Sequence, residues 1–416
     1  MKVTWLALTM SCVLAALPVT QVQALSPPPQ PSVVPQVSAE FSRSMLDLGL
    51  VFLRDQAPGE NSMNSPYSVT NALGMVLMGA AGDSAAQLSR VLPGGSNHPS
   101  VLDRYMLEIS PALNKIQSNV TLRSANRMWL NEAMARSIEP IYSQMTRVYY
   151  KSDAALQNFD NPELAAKSIN QWIEVRTGGQ ISNMLSSQQL SSNPPMVLVN
   201  AVYFKGLWRT PFSKAGTDDA SFTLADGRAM QVPTMHAMLH VRTAQHEGVR
   251  WLELPYAAEA ADPDWVMQIA LPAPGQSMAQ FQQQMTGAQW LEAAEKLREA
   301  TLAVDLPRFS MKGATTSLRE SLKKQGVVDI FSDKANLIGI SRDKNLFVND
   351  VLHRATIEVD EAGTVASAAT AVIMGTKAVS AVPRFTVDRP FLFFIVHKPT
   401  KTPVFMGRVM NPASGN

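Results

Sequence analysis

The stretch Ala355-Thr-Ile-Glu-Val-Asp-Glu-Ala-Gly-Thr-Val-Ala-Ser-Ala-Ala-Thr-Ala-Val-Ile373 changes character in its middle. Residues 355–360 read as a strand. From 362 to 382 the chain then carries a single charge, Lys377, in 21 residues. A solvated linker would be richer in Gly, Ser, Pro and charge. These residues are instead small and compatible with β structure. Taken alternately, Thr364, Ala366, Ala368, Thr370 and Val372 would share one strand face. Small side chains on that face can slip between existing strands without overpacking. The segment therefore reads as a loop that can also become a strand, with a plain flexible linker as the alternative.

Upstream, helical patterns come first. Phe41, Met45, Leu48 and Phe52 fall on one helical face. Ser65-Pro66 supplies an N-cap and a first helical residue, and the apolar run 69–81 that follows implies a buried helix. Asp83 is expected to cap a short helix running to Leu92. Asn161-Pro162 opens a helix that should stop at Gly178-Gly179. From Met196 the pattern changes to strands: 197–199 with 201–204, then 251–254, 266–271, 301–304, 391–396 and 404–409. Helices early and strands late exclude a repeating βαβ unit. Although 416 residues are long enough for two or three domains, no Pro/Gly-rich break divides the chain after residue 36.

The composition is that of a globular protein, with 46% hydrophobic and 17% charged residues and a net charge of +2. Neither the near-neutral balance nor any run of Lys/Arg offers a field for nucleic acid or a membrane surface. Lys2, the uncharged stretch 5–17 and Val22-Gln23-Ala24 fit an export signal over residues 1–24 rather than a membrane anchor. Cys12 is not preceded by the Leu of a lipoprotein signal. Residues 25–37 are a Pro-rich tether, and a domain over 38–416 is expected to follow. The expected location is secreted, extracellular or periplasmic. Cleavage after Ala24 would leave no cysteine, which removes disulfides, thiol nucleophiles and Cys-bound zinc from consideration.

The flanks of the opening stretch resemble a known family. Leu346-Phe-Val-Asn-Asp-Val-Leu-His353 and Glu358-Val-Asp-Glu-Ala-Gly-Thr364 resemble the strand and hinge before the reactive loop of serpins. Asn64-Ser-Pro-Tyr-Ser68, Leu198-Val-Asn-Ala-Val-Tyr-Phe-Lys-Gly-Leu-Trp208, Leu254-Pro-Tyr256, Leu306-Pro-Arg-Phe309, Pro390-Phe-Leu-Phe-Phe394, Phe405-Met-Gly-Arg408 and Asn411-Pro412 are similar to further family motifs in the same order. They span residues 38 to 412. The resemblance implies an α+β serpin fold: one domain, about eight or nine helices, three β-sheets and an exposed reactive loop at about 362–382. It also implies a suicide inhibitor of a serine protease, whose cleaved loop inserts into the main sheet while the protease is still held as an acyl-enzyme.

By the same resemblance Glu361, Gly363, Thr364, Ala366, Ala368 and Ala369 form the hinge. No proline or charge from Gly363 to Thr376 obstructs a new strand. Ala362 and Val365 occupy positions often acidic in relatives, and both should tolerate insertion. Non-inhibitory serpins, chaperones or carriers, often have proline or charge here. A count of about fourteen residues from Gly363 places the scissile bond at Lys377–Ala378, which suits a trypsin-like pocket. Met374–Gly375, Ala378–Val379 and Val379–Ser380 would suit chymotrypsin- or elastase-like enzymes, and a cysteine protease remains open. Ser65, Ser68, Asn200 and His353 resemble the polar cluster where the sheet parts, and Trp208 the aromatic where insertion begins; ordinary core packing is their alternative role. A monomer without cofactor is expected, and no basic helix face for a polysaccharide is visible in the sequence.

Enzyme readings are weaker. Gly275-Gln-Ser277 lacks the second glycine of a nucleophile elbow. His236 and His240 are four apart but lie in a strand-like segment without a zincin glutamate, so no metal is expected. Glu358 and Asp360 share a strand face with no pocket, and read as solvated. Asn119-Val-Thr121 is a glycosylation sequon if the host is eukaryotic.

Overall fold

The computed structural model describes residues 38–94, 99–258, 264–364 and 382–415. The export segment and tether lie outside the described residues, as do Val365, Ala366, Ala368, Ala369, Lys377 and Ala378.

The N-terminal helix Ser38–Arg54 buries Phe41, Met45, Leu48 and Phe52, as their spacing requires. The next long helix, Pro66–Gly79, begins where the Ser65 side chain accepts a hydrogen bond from the Ser68 amide and Pro66 presets the first turn. Nearly every residue of it is buried, because it packs on strands of two different sheets. The short helix Gly82–Val91 departs from expectation at its start: its N-cap is Ala81, and Asp83 sits inside the first turn, where an acid favours the helix dipole without capping. Helix Pro162–Thr177 has Asn161 Oδ1 accepting from the Leu164 amide, and it ends at Gly178 with φ 67°, a left-handed C-cap suited to glycine.

The strand-like runs all form strands. Among the described residues the fold is α+β, with nine α-helices and two hydrogen-bonded sheets. The seven-stranded sheet runs Phe309–Lys312, Asp350–Val359, Gly363–Thr364, Met196–Leu207, Val120–Asn131 and Asp153–Gln157, with Thr316–Ser317 pairing off the path. The other nine strands are continuous through the 18-residue strand Ala229–His246. Its first part pairs with Thr217–Thr223, its last part with Val249–Pro255, and its middle and last part with Arg298–Pro307. This shared strand joins into one network what the resemblance divides into two further sheets.

The central strand Met196–Leu207 is apolar almost throughout because both of its faces are covered. One face packs with helix Pro162–Thr177, in a cluster holding Trp129, Ile169, Ile173, Val197, Val199 and Leu352. The other faces helix Pro66–Gly79 and carries Leu198, Asn200 and Val202. A polar residue on that buried inner face must find partners there.

Candidate functional site: a hinge and a sheet seam

The seven-stranded sheet contains a parallel seam. Asp350–Val359 pairs with Met196–Leu207 from Asp350↔Val197 to Thr356↔Tyr203. Beyond that point the two strands diverge. The chain leaves Val359, turns through 360–362, and re-enters between them. Gly363 and Thr364 then pair with Leu207 and Gly206, and Thr364 with Val359. The start of the candidate loop is already a strand in the seam.

The turn is held from several sides. Asp360 Oδ1 accepts from the amides of Ala362 (3.0 Å) and Gly363 (3.2 Å). The Trp208 indole donates to the Asp360 carbonyl at 2.9 Å, and the Trp208 amide to Ala362 O. Glu361 is buried; its carboxylate accepts from Thr217 Oγ1 (2.5 Å) and is gripped by both Nε (2.7 Å) and Nη2 of Arg308. Burial opposes its ionisation, but these hydrogen bonds and the guanidinium charge outweigh burial and hold the carboxyl below the usual range. Gly363 has φ 150°, and a Cβ there would lie 2.1 Å from Gly206 O, so only glycine lets the two backbones meet.

Thr364 is fully buried, and its hydroxyl hydrogen-bonds Tyr256 Oη at 2.8 Å. Tyr256 is stacked on Trp208, with ring centroids 4.7 Å apart and planes 8° apart. Burial pushes the Tyr256 phenol up, so it stays protonated, and the hydrogen bond to Thr364 only partly offsets this. Thr364, directly after Gly363, is thus a seated residue of the new strand and not part of an exposed loop base. Asp360 also differs from expectation. It is half-buried and shapes the turn rather than being solvated, and burial raises its carboxyl.

Lower in the seam the predicted polar residues meet. The Ser65 amide donates to His353 Nε2 (3.1 Å), which leaves the proton of the neutral ring on Nδ1, facing Asn200 Oδ1. Asn200 Nδ2 donates to Ser68 O and Ser68 Oγ (both 2.6 Å) and to Asn126 Oδ1 (2.8 Å). Ser68 Oγ donates to Asn126 Oδ1 at 3.0 Å, and Ser65 Oγ to Val404 O at 2.6 Å. His353 and Asn200 stand on the two strands of the seam and face each other in register. Their hydrogen bond ties it shut. Burial pushes the His353 imidazole down to about 4, so it is neutral at ordinary pH.

The structure thus brings Ser65, Ser68, Asn200 and His353 into one cluster and Trp208, Glu361, Gly363 and Thr364 into another, both on the same seam. Sequence reasoning missed Asn126, Thr217, Tyr256 and Arg308 as members. Tyr256 and Arg308 sat in quoted motifs without a role. Asn126 carried a usable signal, a polar residue two positions before the apolar run 128–130.

His236 lies between Asp305 and Asp218, and among the described residues no second histidine joins it. Among the described residues one group, His246, Glu247 and Glu292, brings possible metal-ligand atoms within 4.8 Å of one another. The Lys296 ammonium is 2.8 Å from His246 Nδ1, so a cation already stands there.

A sequence model described as serpin (serine protease inhibitor) matches residues 46–412. Leukocyte elastase inhibitor of Bos taurus is 35% identical over 91% of this chain and 100% of its own length. Antithrombin-III of Homo sapiens is 33% identical over 90% of this chain and 82% of its own. The crystal structure of the Manduca sexta serine protease inhibitor serpin-12 covers 91% of this chain and 99% of its own, with TM-score 0.79 at 26% identity.

Proposed function

The chain belongs to the serpin family of serine protease inhibitors, and from that premise we propose that it traps a trypsin-like protease through cleavage at Lys377–Ala378. It is an inhibitor, not an enzyme. A protease serine attacks the scissile carbonyl, the amine of the following residue leaves, and an ester joins inhibitor to protease. Insertion of the freed loop must then outrun hydrolysis of that ester. One observation carries the insertion reading here: Gly363 and Thr364 already occupy the top of the seam, hydrogen-bonded to both of its strands. The rest of the loop has only to continue in that direction, parting the His353–Asn200 hydrogen bond.

The choice of target rests on Lys377, the single charge in residues 362–382, at the counted distance from Gly363. An elastase- or chymotrypsin-like target has its own support: several relatives are named leukocyte elastase inhibitor, and Met374, Ala378 and Val379 flank the lysine. We further propose export through residues 1–24, followed by action outside the cytoplasm as a monomer. The polar cluster and Trp208 are proposed as the points that control sheet opening.

Incubation with trypsin, chymotrypsin and elastase, followed by a denaturing gel and mass spectrometry of the released C-terminal fragment, tests the target. A denaturant-stable 1:1 adduct with trypsin and a fragment starting at Ala378 is expected. A fragment starting at Gly375, Val379 or Ser380 would refute Lys377 as the cleaved residue.

A further inference from the structure

A polar cleft of about 320 Å³ lies beside the outer strand Val120–Asn131, lined by Ser124, Asn126, Arg147, Lys151, Trp172 and Arg176 together with Ser152 and Asp153. Three of these side chains are cations, and none makes an ion pair among the described residues. Lys151 gives its ammonium only to Val148 O, at 3.1 Å. The guanidinium of Arg176 rests over Trp172, 5.8 Å from the ring centroid. The one carboxylate in the lining, Asp153, is taken bidentately by Arg127 at 2.7 and 2.9 Å. The cleft therefore holds an uncompensated positive charge.

Its position is equally specific. Strand Val120–Asn131 pairs with the central strand along Val120 to Leu130, but its other neighbour, Asp153–Gln157, covers only Arg127 to Asn131. Among the described residues the remainder is an open sheet edge, and Ser124 and Asn126 of that part line the cleft. Asn126 is 7% exposed. Its Oδ1 is used twice, by Asn200 and Ser68, whereas its Nδ2 makes no hydrogen bond within the described residues. A largely buried side chain whose amide donor is left free to the cleft, beside three cations, has the chemistry that suits an oxyanion.

We propose that this cleft binds a phosphate- or sulfate-bearing anion through Arg147, Lys151, Arg176 and the Asn126 amide, and that occupancy holds the main sheet closed. The volume equals that of about ten water molecules, enough for tripolyphosphate or a sulfated monosaccharide. The coupling follows from the direction of the hydrogen bonds. His353 Nδ1 donates to Asn200 Oδ1, Asn200 Nδ2 donates to Asn126 Oδ1, and Asn126 Nδ2 would donate to the anion. Each amide polarised at its donor end becomes a better acceptor at its oxygen. An anion at the end of this relay strengthens the His353–Asn200 side-chain bond that crosses the seam beside the backbone ladder, and that bond must break for insertion. The inference deepens the inhibitor reading, because the control it describes acts on loop insertion.

The test uses the full chain in tripolyphosphate, in a disulfated glucosamine, and in sodium chloride at matched ionic strength. A higher melting temperature is expected with at least one oxyanion probe, and which probe acts separates a free phosphate from a sulfated sugar as the source. The same probe should slow adduct formation with the reactive protease by about fivefold or more. In Arg147→Gln/Arg176→Gln both effects should vanish while the untreated protein melts and reacts like the parent. No thermal shift in the parent, or an equal shift in the double variant, overturns the site. A thermal shift without slower adduct formation overturns the coupling. The melting measurement needs no protease, so failure of the inhibitor reading would leave the binding result standing.

Discussion

Thr364 carries two requirements in one side chain. In the native protein it must fill the space beneath Gly206 and satisfy Tyr256 Oη; after cleavage it must lead the loop into the sheet. Thr364→Arg separates these. A guanidinium cannot stay in a fully buried position without a partner, at a cost of several kcal/mol. The variant should therefore expel Gly363 and Thr364 from the seam before any protease arrives, leaving Tyr256 Oη unpaired. After acylation the same cost falls on the insertion barrier, and about 1.4 kcal/mol slows insertion tenfold. Cleavage at the same bond should continue while trapping fails. Moles of inhibitor consumed per mole of protease should rise steeply; a stoichiometry equal to the parent's would remove insertion through this hinge as the mechanism.

At the scale of the paired strands, one cross-seam contact carries a titratable group, His353. His353 receives the Ser65 amide at Nε2, so a second proton would set N–H against N–H. Its folded-state value is near 4, against 6.5 for an unperturbed imidazole. Between those values the unfolded chain binds the proton and the folded chain does not. Stability must therefore fall as pH drops from about 6.5 to 4, by about 3 kcal/mol for this residue. His397, also pushed down to about 4 by burial, adds a similar loss away from the seam. Glu361 adds a loss of the same sign at the acid end: burial opposes its ionisation, but Thr217 and Arg308 hold its carboxyl below the ordinary range, so its contribution fades as pH falls below that range. Denaturant melts from pH 7.5 to 4.5 should show this slope, and His353→Gln should remove about half of it. A variant with the parent's full slope would mean that His353 is protonated in the folded protein.

For the whole molecule, loop insertion would give the main sheet one more full strand, continuing from Gly363 and Thr364. Among the described residues Gly363 and Thr364 of the additional strand are seated, and residues 366–373 carry no charge or proline that would bar the rest. Completing that strand would add about ten ladder hydrogen bonds at roughly 0.5–1.5 kcal/mol each, an order of 10 kcal/mol, partly offset by ordering the segment. Limited proteolysis within the loop should raise the melting temperature by on the order of ten degrees or more. An unchanged melting temperature in the cleaved protein would show that the loop stays outside.

Much of this architecture was legible because it is local. Helices Pro66–Gly79 and Pro162–Thr177 announce themselves by cap, proline and periodicity. The ordered motifs identify the family. Other elements were hidden for equally local reasons. Helix Pro99–Leu113 contains Pro111, and strand Val120–Asn131 interrupts its apolar pattern with Arg123, Asn126 and Arg127. Tertiary structure alone decided that Gly363 and Thr364 are already inserted, since that depends on a glycine meeting Gly206 across 157 positions of sequence. It also decided the partners: Thr364 with Tyr256, Glu361 with Arg308, and Asn126 with Asn200 lie 108, 53 and 74 residues apart. Such pairings arise only when the chain closes on itself, and no local pattern encodes which distant donor will meet a buried acceptor.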